Sequence, residues 1–134
     1  MLVLAAVAAG LYGLYEWVRP LTATEVCRRL DTAPTLAEAK RYATLRMHPL
    51  LDAIHANPAA FDPNDTFEWT QEVDGPRPRT RLVGFRGSWL YAAAGRRVAV
   101  EGHVVAVQDG GWKVDDMVLT YVEGGTLPAP VSLA

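Results

Sequence analysis

Three side chains with metal-ligand chemistry stand close together near the middle of this chain: His48, Asp52 and His55. Their i, i+4, i+7 spacing puts two imidazoles and a carboxylate on one side of an ideal helix, ligand types that suit a divalent cation. Pro49 disturbs the geometry between the first two and no fourth ligand is evident, so no metal and no cofactor is expected. A second group is basic: Arg77, Arg79, Arg81, Arg86, Arg96 and Arg97, with Trp69 and Trp89 nearby. Arginines on phosphates and aromatics under bases would suit nucleic acid. A net charge of −2 argues against a general polyanion binder. Arginines also keep a solvated strand edge from pairing with another, and that is the use expected here, with no nucleic-acid partner. A third use is attraction to anionic lipid headgroups.

Other chemistry is absent or thin. No phosphate-cradling glycine loop, nucleophile elbow, HExxH or CxxC occurs, which argues against nucleotide hydrolysis and zinc proteolysis. Cys27 is the one cysteine, so no internal disulfide forms, and it reads as a small apolar residue on a helix. Asn64-Asp65-Thr66 fits a glycosylation sequon, a short and common match.

The elements that must position these residues begin with an apolar run. Residues 1–18 carry one charged side chain, Glu16, and as a helix would span roughly 27 Å against a ~30 Å hydrocarbon core. Tyr12, Tyr15 and Trp17 gather where an interfacial belt would lie, and Arg19 and Pro20 close the segment. The expectation is a single-pass transmembrane anchor over 1–19 and a membrane protein with its domain extracytoplasmic. The downstream Arg19, Arg28 and Arg29 argue for the opposite orientation by the positive-inside rule. Competing readings are a cleaved signal, a lipoprotein signal and a core helix, each with a poorer fit to the flanks or to the all-round apolarity.

Thr22 or Thr24 can cap a short helix through about Leu30, which Asp31-Thr32-Ala33-Pro34 breaks. Thr35, with Glu38 three residues on, opens a second. Leu36, Ala39, Ala43, Met47, Leu50 and Ile54 draw one buried stripe that stays in phase across Pro49, predicting a single helix kinked near His48-Pro49. From Phe67 the period becomes two, with Phe67, Trp69, Gln71 and Val73 inward. Asp74-Gly75-Pro76-Arg77-Pro78 turns the chain into a long strand over 79–94, where Val83, Phe85, Trp89, Tyr91 and Ala93 share a face and Gly84 and Gly87 suggest a bulge or a strong bend. Turns at Ala94-Gly95 and Asp109-Gly110-Gly111 set off two more strands, the last with a bulge around Asp115-Asp116. A loose tail follows over 123–134. The fold class is α+β: an antiparallel meander of about four strands, bent around a kinked helix.

The run Asp109-Gly110-Gly111-Trp112-Lys113-Val114-Asp115-Asp116 resembles the last hairpin of the NTF2-like (cystatin-like α+β cone) superfamily. Ala39-Lys40-Arg41-Tyr42-Ala43-Thr44 is similar to the second helix of its small anchored members. The resemblance covers roughly residues 22–122 and implies a cone with an acid–base or ligand pocket. Burial there would raise a carboxyl pKa toward working pH. Asp52, His103, Tyr91, Tyr121 and Asp116 are the candidates for such a site, although none sits in a known catalytic pattern. Trp69, Trp89, Tyr91, Trp112, Tyr121 and Asp52 are the candidate cone-lining residues. The expected function is a membrane-anchored, non-enzymatic scaffold or accessory subunit of a membrane assembly, with a protein partner or a homodimer through the sheet face. Its architecture is similar to anchored scaffold subunits of type IV secretion and Mce-type lipid transport. The alternative is a small-molecule-binding or isomerase-like cone with a small apolar ligand. A pocket of about 300 Å³ or more with a buried Asp or His would favour that second reading, and a cone filled by Trp69, Trp89 and Trp112 the first.

Overall fold

A computed structural model describes residues 2–18, 20–56, 67–91, 96–124 and 130–134. The first element, α1 (Leu2–Val18), is a helix whose side chains at Val3, Leu4, Val7 and Leu11 are exposed. Among the described residues, no helix is long and apolar enough to cross a membrane. The transmembrane anchor expected over 1–19 is therefore corrected, and with it the single-pass membrane localisation. The physical reason is length and content. Seventeen residues, alanine-rich and with Gly10, Gly13 and Glu16 among them, reach only about 26 Å.

The helical layer follows. Helix α2 (Ala23–Asp31) is capped by Thr22, whose hydroxyl accepts from Glu25 N at 3.2 Å, and α3 (Leu36–Arg41) by Thr35, which accepts from Glu38 N at 3.2 Å. The predicted long helix is then interrupted, although not at Pro49. The chain leaves helical geometry at Tyr42-Ala43-Thr44 to bridge β4: Thr44 N donates to Val114 O at 2.9 Å and Val114 N to Tyr42 O at 2.8 Å. A 3-10 turn (Leu45–Met47) leads into α4 (His48–Ala56). Pro49 lies in the first turn of α4, where a missing N–H costs nothing and no kink is needed. The apolar stripe nevertheless stays on one side, with Ala43 and Met47 buried and Leu36, Ala39, Leu50 and Ile54 half-buried.

The sheet is an antiparallel meander, β1 (Glu68–Asp74), β2 (Thr80–Tyr91), β3 (Arg96–Gln108), β4 (Trp112–Val122) and β5 (Val131–Ser132), in the order β1-β2-β3-β4-β5. The fifth strand comes from the tail expected to be loose. The turn between β3 and β4 uses Gly110 and Gly111 at φ 64° and 120°, conformations glycine adopts without strain. The β2–β3 ladder is continuous, and the irregularity expected near Gly84 lies on the other side of β2, where Thr70 and Gln71 of β1 together face Gly84. Among the described residues the pairing slips in three places. One falls between Trp69 and Glu72, one passes over Asp115 as expected, and one falls at Thr120, opposite Glu101-Gly102.

The β1 slip reverses the predicted alternation. Beyond it Glu72 turns inward and Val73 is exposed, because one extra residue exchanges the two faces of a strand. Gly102 is required by close approach, since a Cβ there would strike the Val118 carbonyl oxygen and the Phe85 ring. The core lies between the sheet and the helices, around Ala23, Val26, Cys27, Met47, Val83, Phe85, Val100, Val104, Ala106 and Val114.

Candidate functional site

A cavity of about 410 Å³ opens between the helices and the concave face of the sheet. Its inner wall is Cys27, Met47, Leu51, Val104 and Val114, all buried. Three stripe residues, Leu36, Leu50 and Ile54, form the helical side, and Met117 and Leu133 close the end near the tail. Phe67, Trp69 and Trp89 form an aromatic side, with ring centroids 6.1 Å (Phe67–Trp69) and 6.4 Å (Phe67–Trp89) apart. Pro34, Thr35 and His55, exposed as well as lining, make the rim.

Asp31 is the carboxylate in this wall. It ends α2, and its Oδ2 accepts from Phe67 N at 3.2 Å, which joins the helix to the start of β1. Burial raises its pKa above the usual aspartate value, and the Phe67 hydrogen bond opposes that shift only in part. Burial also pushes the Cys27 thiol up to about 12, with Glu72 and Asp31 adding repulsion, so this sulfur stays protonated and is no nucleophile.

The sequence-derived candidates divide. Trp69 and Trp89 line the cavity. Trp112 does not: it packs against the core with the Arg81 guanidinium 5.8 Å from its ring centroid. Tyr121, beyond the slip at Thr120, is 47% exposed. The Tyr91 side chain lies outside the described residues, as do Ala93, the sequon at Asn64 and the turn at Ala94-Gly95. Asp52 faces away and pairs with Lys40 at 2.7 Å, while His48 Nε2 sits 3.3 Å from the Lys40 carbonyl. The His48, Asp52, His55 trio therefore does not converge, and no group of three metal-ligating side chains occurs among the described residues. His103 lines a shallow cleft on the opposite face of the sheet with Arg86 and Glu101.

Asp116, the other acid of the resemblance, is buried at the β4 bulge. It accepts from Met117 N (2.8 Å), Ser132 Oγ (2.6 Å), Ala134 N (3.2 Å) and Arg46 Nη2 (3.4 Å). Several arginines of the basic group are matched across strands. Arg86 makes a forked pair with Glu68 at 2.8 and 2.9 Å, and Arg81 reaches Glu72 at 2.7 Å. Glu72 also accepts from Thr24 N and Oγ1 at 2.8 and 2.7 Å. Burial opposes its charge, but the bonds from Thr24 and Arg81 outweigh that and hold its carboxyl below the usual range.

Sequence reasoning treated Asp31 as part of a helix stop and missed it as a site residue. One signal was present: an acid in the last turn of a helix opposes the macrodipole, which is an unusual choice without a local use. Comparison of the chain with protein-family models, curated proteins and solved structures gave no match.

Proposed function

We propose that this chain is a small-molecule-binding α+β cone, NTF2-like in build, that holds an apolar ligand between its helices and the concave face of its sheet. The cavity carries this reading. Protein interiors are packed to crystal-like density with few voids larger than a water molecule. A space of about 410 Å³ walled by tryptophans and aliphatic side chains is in the size range of ligand pockets. The tryptophan filling expected of a scaffold is not what supports the domain: Trp69 and Trp89 border the space, and Trp112 lies away from it. Asp52, Asp116, His103, Tyr121 and Trp112 all lie outside the lining, which favours holding a ligand over transforming one.

Native mass spectrometry of the purified full chain tests the reading. The expected result is a stoichiometric small molecule, released on denaturation and lost in Leu50→Trp, whose indole would occupy the cavity. A chain that carries nothing, binds no member of an apolar compound set and behaves identically after Leu50→Trp would sink it.

A second reading, an accessory subunit with a protein partner, is favoured by α1. Val3, Leu4, Val7 and Leu11 present an apolar surface that the rest of the fold leaves exposed, and a partner protein would cover it. Deleting residues 2–18 should then abolish co-purification of that partner while leaving ligand binding intact.

A further inference from the structure

We infer that the ligand of the helix–sheet cavity is an apolar amine, with its cationic head against Asp31 and its hydrocarbon body inside. This rests on the binding reading above and adds the chemical class of the ligand.

Asp31 stands at the C-terminal pole of α2, the negative end of the helix dipole. Thr32 N spans the Arg28 and Leu30 carbonyls there, and the carboxylate adds a full charge to the same end. Its Oδ2 takes the Phe67 N–H, a bond that favours the ionised form. Among the described residues, the cavity lining contains no Lys or Arg. Arg28 and Arg29, on the same turn of α2, are exposed and not part of it. The site is thus a negative pole at the edge of an apolar space, with no Lys or Arg among its described lining residues.

Three ligand classes can be weighed against that pole. An anionic ligand would place a second negative charge beside Asp31, with no Lys or Arg among the described lining residues to offset it and His55 only at the exposed rim. A neutral apolar body would deepen the desolvation of the carboxylate and give it no donor in return. A protonated amine supplies both charge and N–H donors. The aromatic side reinforces this choice. Phe67, whose own N–H holds Asp31, stands with Trp69 and Trp89, and such ring faces attract a cation.

The test uses three probes with one body and different heads: phenylbutylamine, phenylbutanol and phenylbutyrate. Each is titrated into the full chain at neutral pH and followed by calorimetry. The amine should bind about tenfold tighter than the alcohol, and the carboxylate more weakly than either. Asp31→Asn should bring amine and alcohol to within about twofold of one another, chiefly by weakening the amine. Alcohol or carboxylate binding at least as tightly as the amine would overturn the amine inference and leave the cavity reading standing. Failure of all three to bind would remove the cavity reading itself, and the inference with it. An amine preference that survives Asp31→Asn would take Asp31 out of the account. The wild-type series decides between the head groups even if the variant does not fold.

Discussion

Two carboxylates sit at the interface of helices and sheet, Asp116 at the β4 bulge and Asp31 at the end of α2. Asp116 is 6% exposed and accepts four hydrogen bonds, from a strand, the tail and the 3-10 turn. Asp31 is half-buried and, among the described residues, accepts from Phe67 N. Depth alone would make Asp116 the better candidate for chemistry. Satisfaction reverses that ranking, because a carboxylate with its lone pairs occupied is a fastener, whereas one taken partly from water and left short of donors is a binding group.

The difference is sharpest in stability measurements. Asp116→Ala should have the largest effect, a loss of roughly 2–4 kcal/mol in urea unfolding, because it removes the buried acceptor that joins β4 to the tail and to the 3-10 turn. A loss under about 1 kcal/mol would erase the distinction between the two acids.

Glu72→Gln is expected to be intermediate, costing about 1–2 kcal/mol at neutral pH. The folded-state pKa of Glu72 lies below its unfolded value, so its contribution is present above the unfolded pKa and is lost as pH falls through the lowered one. Wild type and variant should therefore converge in acid, as thermal unfolding across pH would reveal.

Asp31→Asn should have the smallest effect and the opposite sign, a gain of up to about 1 kcal/mol at neutral pH. A raised folded-state pKa means that ionisation costs stability once pH passes the unfolded value, so the gain should vanish in acid. A clear destabilisation at neutral pH would show Asp31 to be a fastener like Asp116. The same variant, stabilised yet poorer at distinguishing amine from alcohol, would make the comparison complete.

Local chemistry was legible in the sequence, and long-range registration was not. The caps at Thr22 and Thr35, the glycine turn before Trp112 and the slip near Asp115 follow from residue types and near neighbours. The extra residue in β1 is marked on the facing strand by Gly84 and not within β1 itself, where Glu72 reads as wet and Val73 as inward. The break at Ala43 was hidden because the stripe keeps helical spacing through a segment whose backbone bonds go to Val114, seventy-one residues away. Apolar spacing reports which side is buried, not which backbone conformation delivers it. The α1 run misled for a related reason: apolarity is easy to count, whereas crossing a bilayer also sets a length that seventeen residues do not meet.

The uninterrupted β2–β3 ladder has a kinetic corollary. Twelve successive pairings between neighbouring strands close with little loop entropy, so this hairpin should form early and its amides should exchange last. The helices on the other side of the cavity are short and docked separately, and can part from the sheet while the hairpin stays whole. Hydrogen exchange that is fast in α3 and α4 and slow in β2 and β3 would reveal a molecule that breathes on one side only, admitting its guest without unfolding.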